Sequence, residues 1–134
     1  MDSCGPADEA GEVMYGVEVV ANQSESTSVE VLDVKPVDAR NIEIVEWSIG
    51  DAYDDEPRGG IQFAEDFPDG LGGETIIDPQ QTGLIETILV LQDTSMPGSI
   101  SGFTLTYSDE GESSESSVST NGTFELKPYP TNCL

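Results

Sequence analysis

Short apolar runs with a period of two recur along the chain, and that alternation narrows the fold more than any other feature. Val13, Tyr15, Val17 and Val19 alternate with Glu12, Met14, Gly16 and Glu18, the pattern of a strand with one face on a core. Val29, Val31, Leu32 and Val34 form a second strand. Its phase flips between Val31 and Leu32, which predicts a bulge or burial on both faces, and Pro36 ends it. Ile42, Ile44, Val45, Trp47 and Ile49 form a third strand with a similar phase change, and Trp47, the single tryptophan, is expected at the centre of the core. Leu84–Leu91 is the most apolar run and reads as a central strand buried on both faces. Phe103, Leu105 and Tyr107 alternate with Thr104 and Thr106, and Ser108–Glu112 closes a hairpin toward Val118, Phe124 and Leu126.

No segment holds a 3.6-residue period over ten residues. Alanine is scarce, while Val, Ile, Thr and Ser are plentiful, so propensity points the same way as pattern. Residues 50–83 are rich in Gly and Pro and predict a long loop with one or two short edge strands, at Ile61–Phe63 and Thr75–Ile77. The expected fold is all-β: an antiparallel sandwich of about seven strands, with a small barrel as the alternative. With 134 residues, one domain over 1–134 is expected, residues 1–11 being a small, acidic tail.

Cys4 and Cys133 are the only cysteines. Their count is even, they flank the whole domain, and no other metal ligand pairs with them, so a Cys4–Cys133 disulfide is expected. A bridge closing so long a loop contributes about 4–5 kcal/mol in the chain-entropy model, and it implies an oxidising compartment. Met1 is followed by the polar Asp2–Pro6 rather than by an apolar leader, which reads as a mature segment behind an added start Met. Lipidation of Cys4 is the competing reading, and it would leave Cys133 without a partner.

Four Lys plus Arg face 27 Asp plus Glu, a formal net charge of −23, and there is no histidine. Four cations cannot neutralise a phosphate track, so nucleic-acid binding is excluded. Histidine-dependent catalysis and His-ligated metals are excluded by composition. No apolar run approaches a membrane span. Serines are frequent, but with no histidine base, and Lys35 and Lys127 lie in no serine–lysine motif. Paired carboxylates for glycoside hydrolysis arise by chance among so many acids, and a small sandwich has little room for a sugar cleft. No enzymatic activity is therefore expected.

Asp51, Asp54, Asp55 and Glu56 crowd one stretch of the long loop beside Tyr53 and Arg58. A Ca²⁺ ion, which takes roughly six to eight oxygen ligands, would relieve their repulsion, although the spacing is not that of an EF-hand. These four are the candidate calcium ligands, with a solvated acidic loop as the plainer reading. Asp66 and Asp69, around Phe67-Pro68, are a weaker pair of the same kind. Tyr53, Arg58 and Phe67 are the candidate binding residues. No cofactor other than calcium is expected. Asn22-Gln23-Ser24 and Asn121-Gly122-Thr123 match the glycosylation pattern. The low-complexity stretch Glu110–Ser119 reads as a mobile hairpin tip.

Val29–Pro36, Ile42–Trp47, Gly83–Leu91 and Gly102–Tyr107 together resemble immunoglobulin-like or fibronectin-type domains of bacterial secreted and cell-envelope proteins. The resemblance covers roughly residues 12–127, without the paired core cysteines of antibody domains. It implies an Ig-like sandwich serving as a spacer, adhesion or accessory module. The expected function is a non-catalytic secreted or envelope module with a structural or protein-interaction role. Contact is expected through the long loop or an exposed strand edge. The alternatives are a calcium-stabilised adhesion domain and an acidic DNA mimic that inhibits a basic protein.

Overall fold

A computed structural model describes residues 2–52, 60–64, 70–110, 112–131 and 133. The described chain is all-β, with strands β1 (Asp2–Pro6), β2 (Glu12–Gly16), β3 (Val19–Ala21), β4 (Val29–Pro36), β5 (Ile42–Asp51), β6 (Gly60–Gln62), β7 (Ile76–Ile77), β8 (Thr82–Leu91), β9 (Gly98–Ile100), β10 (Phe103–Asp109), β11 (Ser116–Ser119) and β12 (Thr123–Lys127). No described helix is long and apolar enough to cross a membrane.

β8 organises one layer. It pairs antiparallel with β5 along one edge, and with β2 and β3 in succession along the other. β6 then adds to β2. The second layer runs β11-β10-β4-β7, and a smaller sheet runs β1-β12-β9. Pairing is antiparallel except between β1 and β12, which run parallel from Asp2↔Thr123 to Pro6↔Lys127. Part of the excess over seven strands comes from splitting, and β1 and β9 are additional. The expected first strand divides into β2 and β3, and the expected last strand into β11 and β12. Residues 2–6, expected as part of a tail, form a paired strand.

β9 pairs antiparallel with β12 and β10 with β11, so the same two chain segments pair twice in succession, in two different sheets. The break falls at Ser101–Gly102 and Thr120–Gly122. Gly102 has φ +117°, and a Cβ there would collide with the Thr120 backbone; only glycine lets the chain turn from one sheet into the next.

Both phase changes in the sequence are bulges. Thr106 pairs with Asp33 and Tyr107 with Val31, so Leu32 is the extra residue. Ile44 pairs with Leu89 and Glu46 with Ile88, so Val45 is the extra residue. Each is turned outward, at 39% and 58% exposure. A bulge shifts the alternation by one residue, and so allows apolar side chains on both sides of it to face the core.

β8 is buried on both faces, as its composition predicts. On one face Ile85, Leu89 and Leu91 join the main core with Val13, Tyr15, Val31, Val34, Phe103, Leu105, Phe124 and Leu126. On the other, Ile88 joins Met14, Ala64 and Leu71 in a second, smaller cluster. Met14 therefore departs from the half-buried reading of its strand: Ala64 and Leu71 pack on the face that alternation assigns to solvent. Trp47 also departs from expectation. It is only partly buried and packs against the main core from its margin. The centre belongs to Tyr15, which stacks on Phe124 at 4.3 Å between ring centroids and meets Phe103 at 6.0 Å.

Candidate functional site

Cys4 and Cys133 are bonded, with Cα atoms 6.0 Å apart and a sequence separation of 129. The bridge ties β1 to the segment following β12, so the parallel pair that joins the two ends of the chain is covalently closed.

Of the expected calcium ligands, Asp51 stands exposed at the end of β5. Asp54, Asp55 and Glu56 lie outside the described residues, as do Tyr53, Arg58 and Phe67. Among the described residues, no three acidic, histidine or cysteine side chains come together as a metal site. Asn22, the first residue of a glycosylation pattern, is buried. Its amide nitrogen donates to the Thr27 carbonyl at 2.8 Å and the Ile77 carbonyl at 3.0 Å. Asn22 is thus a structural post that ties the turn after β3 to β7, with no amide hydrogen left to offer a glycan. Asn121, in the second pattern, is exposed.

A cleft of about 890 Å³ lies between the two principal layers. Val17, Val19, Val20 and Ala21 line one wall, and Val29, Val31, Leu105 and Val118 the other. Strand register explains the second wall. Leu105 lies opposite both Val118 on β11 and Val34 on β4, so side chains of neighbouring strands share the inward face. On the first wall the chain leaves β2 at Gly16, the Glu18 carbonyl accepts from the Ile85 N–H of β8 at 2.9 Å, and β3 begins at Val19, so Val17 and Glu18 lie between the two strands.

Glu18 and Tyr15 supply the chemistry inside the cleft. Glu18 Oε1 accepts a hydrogen bond from the Gly122 N–H at 2.9 Å. Gly122 permits this approach, since a Cβ there would stand 2.7 Å from the same oxygen. Glu18 Oε2 is buried and has no hydrogen-bond donor among the described residues. Burial raises the Tyr15 phenol above its ordinary value of 10.0, a hydrogen bond with the Ser3 side chain works the other way, and the Glu18 charge raises it further. Ser3 and Asp109 also line the cleft, and Tyr107 adds a second phenol. Among the described residues no Lys or Arg does so. The arrangement is an apolar trough with negative charge inside it and at its mouth.

Sequence reasoning placed Val17, Val31 and Leu105 on inward faces, yet read them as filled core and missed the cleft. The usable signal was the run of small apolar residues Val17, Val19, Val20 and Ala21, with no large side chain among them.

No family model matches the chain, and no curated protein matches it. Among solved structures, a family 123 glycoside hydrolase from Clostridium perfringens, described for glycolipid glycan hydrolysis, aligns with 96% of this chain at 9% identity and a TM-score of 0.29. The chain spans 23% of that protein.

Proposed function

We propose that this chain is a non-catalytic, secreted or cell-envelope Ig-like module that engages a protein partner through an open strand edge. The observation that carries the reading is an edge left open on a covalently closed frame. Among the described residues β11 pairs only with β10, and all four of its residues, Ser116–Ser119, are exposed. An unpaired edge offers a row of backbone donors and acceptors to an incoming strand. The Cys4–Cys133 bridge supports an oxidising compartment. The net charge of −23 supports a partner with a basic surface. The lack of histidine anywhere in the chain supports a binding rather than a catalytic role.

Photo-crosslinking from position 117 tests it. The oxidised domain, carrying a benzophenone side chain there, is exposed to intact cells of its source and to their secreted proteins. A saturable adduct with a single basic protein is expected. No adduct, or recovery of the native protein from its source with two free thiols, would overturn the reading.

A further inference from the structure

We propose that the cleft between the two layers is a small-molecule site for an organic cation: a protonated amine, received by Glu18, carried on an alkyl or aryl body. The site goes beyond the partner surface on β11 and does not depend on it.

Three features converge. A volume of about 890 Å³ falls within the roughly 300–1,000 Å³ of small-molecule pockets. Val17, Val20, Val31, Leu105 and Val118 give the walls an apolar stretch that suits a hydrocarbon body, beside polar residues such as Ser119, Thr120 and Asn121. The charges inside are of one sign. Glu18 and Asp109 line the cleft, while no described cation does, so a fatty carboxylate or a phosphate would meet repulsion with no counter-charge.

The position of Glu18 decides what the head group must be. One carboxylate oxygen is held by the Gly122 N–H, which fixes the side chain. The other is buried without a donor among the described residues. A buried acceptor of this kind is costly until a donor reaches it. A charged N–H donor gains most, because hydrogen bonds between ionised partners are roughly twice as strong as neutral ones. An alcohol would supply the hydrogen bond without the charge, so an amine should be preferred over an alcohol of equal length.

Isothermal titration calorimetry with n-octylammonium, 1-octanol and octanoate tests this in physiological salt. Octylammonium is expected to bind one to one, octanol at least tenfold more weakly, and octanoate not at all. Glu18→Gln keeps an oxygen for Gly122 and is expected to weaken octylammonium at least tenfold. Glu43→Gln, an exposed acid elsewhere, should change nothing. Val118→Trp, which plugs the cleft from its exposed edge, should weaken octylammonium and octanol together, and it decides the matter if Glu18→Gln fails to fold. Absence of octylammonium binding would overturn the proposal, as would equal affinity for octanol. Equal losses in Glu18→Gln and Glu43→Gln would overturn it too, since they would mean attraction by the overall charge. Unchanged binding in Val118→Trp would place any site elsewhere.

Discussion

The two ends of the sandwich are spanned by the same long strands but are filled differently. At one end Tyr15, Phe103, Phe124, Ile100 and Leu126 are at most 1% exposed. The small β1-β12-β9 sheet supplies several of them, and the disulfide lies beside it. At the other end Val17, Val20, Ala21, Val29 and Val118 are among the residues that line a cleft left between the layers. The difference teaches that tight packing and open space can be separated within one small fold. Large side chains and a covalent bridge hold one end, which frees the other from having to close.

The largest expected effect follows from removing the bridge. Cys4→Ser with Cys133→Ser should cost about 4–5 kcal/mol, read from denaturant midpoints. A loss well under 1 kcal/mol would mean that the closed end holds without its staple. Next, Phe103→Ala should cost about 3–5 kcal/mol, as expected for emptying a packed aromatic site. Val118→Ala, on the open edge, should stay within about 0.5 kcal/mol. Similar losses for the two would erase the contrast. Enlargement should show the reverse asymmetry. Ile100→Phe at the packed end should cost about 1–3 kcal/mol by overpacking, whereas Val17→Phe should be neutral or raise the melting temperature by filling the cleft.

A smaller effect is expected with pH. The folded protein holds the Tyr15 proton more tightly than the unfolded chain, mainly through burial. The corresponding stability is therefore fully present below about pH 10 and is lost as pH rises through the raised folded value. Chemical denaturation between pH 9 and pH 11.5 should show this loss in the wild type and a shallower one in Tyr15→Phe. Equal slopes would remove Tyr15 from the account. Smallest of all is the response to calcium. Millimolar Ca²⁺ should leave the melting temperature unchanged, and a clear rise would add the acidic stretch Asp51–Glu56 as a third region of consequence.

Much of the frame was legible because alternation is a local property. The bulges at Leu32 and Val45 show in the sequence as broken phase. The central place of β8 shows as an uninterrupted apolar run. Met14 and Trp47 were misjudged for one shared reason: alternation assigns a side chain to a face but does not say what covers that face, or how near the centre it lies. Ala64 and Leu71 pack with Met14, and Tyr15 takes the centre that a lone tryptophan seemed to claim. For the candidate site, the residues were visible and their meeting was not. Glu18 and Gly122 are 104 positions apart in the chain, and the folded chain brings the Gly122 N–H within 2.9 Å of the Glu18 carboxylate.

Sequence by itself determined that this chain is an all-β body with a predicted disulfide between its ends, because side-chain period, turn residues and cysteine placement act over a few positions or by simple count. Tertiary structure alone decided that the layers close at one end and stay apart at the other. Cavity volume depends on how distant strands approach, and no local pattern of residues encodes that distance.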